Sequence, residues 1–381
     1  MKYRLVELLQ CPACGGDLEV AAAEHASSVC QTVPTIQCRR FCALNRVSTI
    51  PEPDECLRCF QTEIVSGKLD CGVCGKSCDI VDAVPWLFKD RDRDLLSDTA
   101  LLFGHLWTRT ERAALPASNH VERVEEVLGE SVVRGKIGLD AGSGSGDDTL
   151  TLARRHPSVE LISLDLSEGV YLTKRAAEGL PNVYVIRGSL LELPLRPESC
   201  DFVYSFGVLH HTPDPGRGIQ EMARVLREKG RLTVYLYEDH ADNPWKSIPL
   251  KMVSAIRQVT VRLNPKVLSA LCFAASPFVV LAFSLPAKIL GRFKRTRTLA
   301  ERMPFNFGSS PFSVHGDLLD RFGAPIEFRY SKEGIVALLR DHGLNGVRTT
   351  KLKISAGWVA SGIKQAHGAT AREAMPLAAT S

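Results

Sequence analysis

The sequence predicts a Rossmann-like, doubly wound α/β fold preceded by a small cysteine-rich β-ribbon. Three observations carry that prediction. Apolar strand-like runs alternate with helical patterns from about 136 to 238, a glycine-rich turn LDAGSGSGDD joins the first such strand to the first helix, and ten of the twelve cysteines fall in the first eighty residues. Strand–helix alternation argues for right-handed βαβ units about a parallel sheet.

Residues 1–90 hold the cysteines, with short apolar runs such as 79–88 that read as ribbon strands. Lys2, Arg4 and Glu7 break up the N-terminal apolar residues, so a secretory signal is not expected there. A cytoplasmic, reducing compartment follows, in which cysteine pairs favour metal thiolates over disulfides. Cys11-Pro-Ala-Cys14 and Cys71-Gly-Val-Cys74 are two knuckles whose two-residue gaps suit one tetrahedral zinc. Four thiolates leave no open coordination position, so this zinc is expected to be structural. Cys38, Cys42, Cys56 and Cys59 supply two further close pairs and a second candidate zinc site, with Cys30 and Cys78 as spares. The flanking motifs LLQCPACGGDL and CGVCGKSCDIVDAVPWLF resemble the zinc-ribbon family that occurs free as an activator of tRNA and protein methyltransferases and also fused to methyltransferase domains. The span between the knuckles is longer here than in that family.

Residues 91–135 read as a helical connector, with Val121, Val124, Val127 and Leu128 on one apolar face. The α/β domain is expected over 136–366. Its runs are KIGLDAG, a helix from Asp147, VELISLD, a helix to Gly179, NVYVIRG, DFVYSFG, a helix to Leu226, and RLTVYLY. A helix from Ser331 to His342 and the runs GVRTTKLKI and GWVASGIK then supply a hairpin at the sheet edge. Residues 367–381 read as a disordered tail.

The glycine turn lets a ligand approach the backbone at the carboxyl edge of the sheet. A dinucleotide fingerprint needs glycines at positions one, three and six, and counting from Gly142 the sixth is Asp147. Asp147 and Asp148 also oppose a pyrophosphate at the helix N-terminus. S-adenosylmethionine has no phosphate and carries a sulfonium and an ammonium, which Asp140 would attract. Asp165, about 20 residues beyond the loop, is placed to accept bonds from two ribose hydroxyls.

The ordered motifs LDAGSGSG, LDLS, RGSLLELPLRPESCDFVYSFGVLHHTPDP and REKGRLTVYLY resemble the class I methyltransferases, over roughly a quarter of the chain. The resemblance implies a seven-stranded sheet whose last strand pair is a hairpin. It implies that Asp140, Gly142, Ser143 and Gly144, with Ala141 and Gly146 completing the turn, hold the methionine end of the cofactor. Asp165 and Leu166 would hold the ribose, Ser189 and Leu190 would lie beside the adenine, and Phe206 would form pocket wall. Many relatives carry an acid at the Ser189 position. Methyl transfer rests mainly on alignment of the reactants. If a general base acts, His210 and His211 in the loop after the fourth strand are the nearest candidates.

An insertion at about 240–330 interrupts this domain. Between Asn243 and Ala300 it has no Asp or Glu, whereas Lys246, Lys251, Arg257, Arg262, Lys266, Lys288, Arg292, Lys294, Arg295 and Arg297 are basic. Val267 to Leu285 is almost wholly apolar and near the length of a bilayer span, but Pro277 is expected to divide it into two short halves. The chain must also return to complete the sheet. Two readings therefore lead: a shallow helical hairpin in one leaflet, or an apolar lid over the site. Both point to a small or lipid-linked acceptor and the first to a membrane surface. Nucleic acid is less favoured, because aromatics interleave with the basic residues only at Phe293, Phe305 and Phe307. The alternatives are an RNA methyltransferase that docks RNA through the ribbon, and a non-catalytic scaffold.

Overall fold

The computed structural model describes residues 1–27, 38–46, 53–88, 99–108, 120–241, 244–303, 305, 311–352 and 357–366. Cys30, the charged DRDRD stretch at 90–94 and the 367–381 tail lie outside them.

The chain begins with a 3-10 turn, Tyr3–Leu8, followed by β1 (Leu18–Ser27), α1 (Pro53–Gln61), β2 (Thr62–Cys71), β3 (Ser77–Val81) and β4 (Val84–Leu87). Two helices connect this ribbon to the α/β part: α2 (Leu101–Thr108) and α3 (His120–Leu128). On α3 the expected face is turned inward, with Val121, Val124 and Leu128 buried.

The alternating region gives β5 (Ile137–Ala141), α4 (Asp147–Arg155), β6 (Glu160–Asp165), α5 (Gly169–Ala176), β7 (Val183–Gly188), β8 (Cys200–Phe206), α6 (Pro215–Val225) and β9 (Leu226–Tyr237). The insertion folds as α7 (Pro244–Thr260), α8 (Pro265–Leu290), α9 (Arg297–Arg302) and α10 (Pro311–Gly323). The chain closes with α11 (Lys332–Asp341), β10 (Leu344–Lys351) and β11 (Gly357–Lys364). Helix starts follow local chemistry: the Asp214 carboxylate accepts the Arg217 N–H at 2.9 Å before Pro215 opens α6, and the Ser331 hydroxyl accepts the Gly334 N–H at 3.0 Å before α11.

The strands form one sheet in the order β1-β2-β3-β4-β7-β6-β5-β8-β9-β11-β10. From β7 to β9 neighbouring strands are parallel, and β11 lies antiparallel between β9 and β10 as the expected edge hairpin. The seven-stranded doubly wound sheet with a terminal hairpin is thus present.

The ribbon joins that sheet. Strand β4 pairs antiparallel with β3 through Ile80 and Pro85, and parallel with β7 through Trp86–Arg187 and Leu87–Gly188. A single apolar cluster runs from Leu5, Leu9, Ile64 and Leu69 through Leu87 to Ile162, Leu164 and Ile186. The first ninety residues have little core of their own, and they share the core of the α/β domain.

The expected break at Pro277 does not occur. Helix α8 continues through it to Leu290, with a wide π turn over Val280–Ser284. Proline removes one backbone donor and crowds the carbonyl four residues before it, which for Pro286 is that of Ala282, so the widening over Val280–Ser284 accommodates Pro286 while the helix passes through Pro277 unbroken.

Candidate active site and metal centre

In an open α/β sheet, ligands bind beyond the carboxyl ends of the strands where the strand order reverses. Here that point lies between β5 and β8, whose Asp140 and Tyr204 are register partners. The glycine turn leaves β5 at this point. Gly142, Gly144 and Gly146 all have positive φ, and a Cβ on Gly142 would lie 2.4 Å from the Val208 side chain. A Cβ on Gly144 would lie 2.7 Å from the Trp107 ring, so α2 covers the turn from above. The turn is tied to β6 by Gly142 and Ser143 N–H groups donating to the Leu164 carbonyl at 2.7 and 3.0 Å. The Ser143 and Ser163 hydroxyls are 2.7 Å apart.

Two carboxylates flank the turn. Asp165 accepts the Gly144 N–H through Oδ2 and the Ser167 N–H through Oδ1, both at 2.8 Å. Each oxygen keeps a further lone pair for a ligand hydroxyl. Asp140 is buried and accepts the Thr149 hydroxyl at 2.5 Å. Burial, reinforced by Asp148, pushes its carboxyl up to about 8. Asp148 in turn accepts the Tyr204 hydroxyl at 3.1 Å and lies 3.5 Å from Nδ1 of His120. A ligand ammonium or sulfonium would be attracted by this acidic cluster and a phosphate would not, so the residues present fit S-adenosylmethionine.

The other sequence candidates spread around this centre. The Leu166 carbonyl accepts Arg187 Nε at 3.2 Å, and Arg187 lies over the Trp86 ring of the ribbon. The Ser189 hydroxyl accepts the Leu191 N–H at 3.2 Å, which leaves the hydroxyl one further lone pair and its proton. Leu190 is turned into the core against Gly218 of α6. The Phe206 ring stacks between His120 and Tyr235, at 4.2 and 4.3 Å between centroids.

His210 and His211 sit in a short 3-10 turn, Leu209–His211, just after Val208. Both are buried, but they differ. His211 Nδ1 lies 2.8 Å from the Ile326 carbonyl and Nε2 lies 3.4 Å from Asp320 of α10, which also accepts the Tyr237 hydroxyl at 2.8 Å. His211 therefore fastens the insertion to the sheet. His210 packs on the Tyr237 ring at 3.9 Å, and neither of its ring nitrogens has a hydrogen-bond partner among the described residues. Burial holds His210 well below the usual histidine range, so it stays neutral. Sequence reasoning missed Trp107, Asp320, Tyr237 and the His120–Asp148–Tyr204 group, because each joins segments far apart in the chain.

At the other end of the molecule, the sulfurs of Cys11, Cys14, Cys71 and Cys74 all lie within 4.8 Å of one another. Cys11 and Cys74 are 3.7 Å apart and Cys14 and Cys71 3.5 Å. Thiolates at ~2.3 Å from one zinc in a tetrahedron are about 3.8 Å apart, so the four residues fit the metal. The Gly16 N–H donates to Cys14 Sγ at 3.4 Å, as in a metal knuckle. Among the described residues this is the one such cluster. Cys42 and Cys59 are buried and Cys38 and Cys56 half-buried; Cys38 and Cys59 feel the charge of their neighbours, yet the four sulfurs are not gathered to ligand spacing.

The order β7-β6-β5-β8-β9-β11-β10, with the glycine turn and two acids at its switch point, defines a class I methyltransferase fold. Residues 139–234 match the methyltransferase domain family, so the chain carries a class I S-adenosylmethionine methyltransferase domain joined to an N-terminal cysteine ribbon. It is 28% identical over 162 residues to a ubiquinone/menaquinone biosynthesis C-methyltransferase of Syntrophotalea carbinolica, covering 42% of this chain and 66% of that protein. It is 35% identical over 92 residues to the chloroplastic 2-methyl-6-phytyl-1,4-hydroquinone methyltransferase 2 of Oryza sativa subsp. japonica, covering 24% and 26%. It is 36% identical over 114 residues to a U6 snRNA (guanine-N(2))-methyltransferase of Bos taurus, covering 28% and 23%. The chain spans less than a third of the length of the first curated relatives it matches.

Proposed function

We propose that the protein transfers a methyl group from S-adenosylmethionine to a small, lipid-like acceptor. The observation that carries this reading is the pair Asp140 and Asp165 flanking a glycine turn that is roofed by an apolar layer. Leu102 and Leu106 of α2, Leu268 and Cys272 of α8, and Leu318 and Leu319 of α10 form one buried cluster above the site. A pocket roofed this way favours an apolar acceptor. Two of the relatives are named for a phytyl hydroquinone and for ubiquinone or menaquinone, which agrees with that chemistry.

When bound, the cofactor supplies an electrophilic methyl group on its sulfonium. Asp140 releases its proton as a cationic ligand approaches and then holds the ammonium as a carboxylate. Asp165 orients the ribose through the lone pairs left free by Gly144 and Ser167. Val208 limits the depth of the crevice, and Trp107 excludes water from the turn. His210, neutral and with neither ring nitrogen hydrogen-bonded among the described residues, offers one nitrogen to accept a hydrogen bond that orients an acceptor hydroxyl. Ser189 bonds the adenine more weakly than an acid would.

Calorimetry with S-adenosylhomocysteine tests the cofactor half: binding is expected, with a loss of about tenfold or more in Asp165→Ala. Absence of binding, or an unchanged affinity in that variant, overturns it. For the acceptor half, extracts split into lipid, small polar and RNA fractions are incubated with radiolabelled cofactor. Label entering the lipid fraction is expected, and label entering only RNA would favour the chemistry for which the bovine relative is named.

A further inference from the structure

Helix α8 is inside out for a helix in water. Apart from Leu268, its protein-facing side carries the small and polar residues Ser269, Cys272, Ser276 and Ser284, all buried. The serine hydroxyls are all satisfied: Ser276 donates to the Cys272 carbonyl one turn back in the same helix and Ser284 to the Phe305 carbonyl, both at 2.7 Å, and Ser269 meets His315 Nε2 at 3.1 Å. Its outer side carries the large apolar residues, with Phe278 71%, Leu281 65% and Leu271 56% exposed. Helix α7 adds Met252 and Val259 to the exposed apolar surface, at 64% and 66%. A water-facing helix has the opposite arrangement, and this many large apolar side chains exposed along one helix mark a contact with something other than water.

We propose that this face docks the protein in the plane of an anionic lipid bilayer. Within Pro265–Leu290 the most apolar 18-residue window has a mean hydropathy of 2.1 with only 22% of it buried, and 26 residues of helix extend about 39 Å. The helix does not cross: its inner side is packed against α10 and α2, and the chain returns to add β10 and β11 to the sheet. Charge selects lipid over a second copy of the chain. Residues 243–300 contain ten basic side chains and no acid, and Arg292, Lys294 and Arg295 are exposed beside Phe293 just past the helix end. Two such faces would repel each other, whereas anionic headgroups neutralise them and acyl chains cover the apolar residues.

The docked layer is also the active-site roof. The inner side of α8 packs on α2, which brings Trp107 to Gly144, and on α10, which brings Asp320 to His211 and Tyr237. A lipid-like acceptor would therefore enter from the bilayer side, a corollary that rests on the function proposed above.

Flotation of the full chain with phosphatidylcholine vesicles, with and without phosphatidylglycerol, tests the docking. The wild type is expected to float with the anionic vesicles and far less with the neutral ones. The triple variant Leu271→Ser, Phe278→Ser, Leu281→Ser changes only exposed side chains and is expected to lose about tenfold or more in vesicle affinity. Arg292→Glu, Lys294→Glu, Arg295→Glu is expected to lose the preference for anionic vesicles. A wild type that stays with the soluble fraction overturns the proposal, as does a triple variant that floats undiminished. So does a wild-type dimer by light scattering that the triple variant abolishes without any flotation. S-adenosylhomocysteine binding measured on the same samples reports separately on the methyltransferase reading, and it is expected to be retained in both variants.

Discussion

Arg4 and Glu160, 156 residues apart, form a buried ion pair at 3.0 Å, with almost no exposed side-chain surface on either partner. Glu160 begins β6, and it also accepts the Tyr184 hydroxyl from β7. The opening turn of the chain is thereby locked beneath the central sheet. Breaking a buried pair from one side leaves an uncompensated charge and costs about 3–5 kcal/mol. Arg4→Met is expected to lower unfolding stability by that amount in urea titration. In the double variant Arg4→Met, Glu160→Met, apolar packing replaces the pair and part of the loss is expected to be recovered, the remainder reflecting Glu7 and the Tyr184 hydroxyl, which lose Arg4 and Glu160 as partners. A single variant as stable as the wild type would mean that the pair does not hold the ribbon.

Metal removal extends the same argument. The knuckles bring Cys11 and Cys71 into the cluster that continues to Ile162 and Ile186, so a metal held there would fasten a region on which the sheet edge depends. Purified protein is expected to hold one equivalent of zinc, and a chelator is expected to lower the melting temperature of the whole domain in a single transition. A separate early transition, with the rest unaffected, would show that the ribbon folds on its own. A second equivalent that disappears in Cys38→Ser, Cys42→Ser would assign metal to the other cysteine set.

The parts legible in the sequence are those in which local chemistry fixes local structure. The glycine turn, the strand–helix alternation and the edge hairpin each declare themselves within a dozen residues, as do the two knuckles. Illegible parts depend on distant partners. Strand β4 meets β7 through two residues, Trp86 and Leu87, and nothing in their pattern says which edge they extend. Asp320 lies on an ordinary amphipathic helix, and only the fold brings it to Tyr237. Pro277 misleads for the opposite reason: its local rule is strong, but the packing of Leu268 and Cys272 against α2 and α10 holds the helix through it.

A cationic cofactor held at Asp140 would link its binding to protons. The folded Asp140 carboxyl is raised to about 8 from an ordinary 3.8, so between those values the folded protein keeps a proton that the unfolded chain has released. The stability from this group is full below pH ~4 and is lost as pH rises through about 8. Asp140→Asn is expected to flatten that decline in melting temperature across the same window. If a cationic ligand draws the proton off, S-adenosylhomocysteine binding near pH 7 releases part of a proton. Its calorimetric heat then changes with the ionisation enthalpy of the buffer. In Asp140→Asn, binding is expected to weaken and the buffer dependence to vanish; a wild-type heat identical in phosphate and Tris would refute the assignment.

Substitution of Asp320 is expected to separate acceptor handling from cofactor binding. The Asp320 carboxylate accepts from Tyr237 and faces His211, so α10 is held against the turn that carries His210, while Asp140 and Asp165 lie on the other side of the switch point. Asp320→Ala strands the Tyr237 hydroxyl, a loss of about 1–3 kcal/mol in stability, and loosens the roof. The expected kinetic outcome is asymmetric: kcat/KM for the acceptor falls about tenfold or more, while S-adenosylhomocysteine affinity stays within about twofold of the wild type. Asp320→Asn can still accept from Tyr237 and is expected to keep most of the stability. His210→Phe is expected to lower kcat with cofactor affinity unchanged. Equal losses of cofactor affinity and acceptor turnover in Asp320→Ala would show instead that the roof and the cofactor turn move as one body.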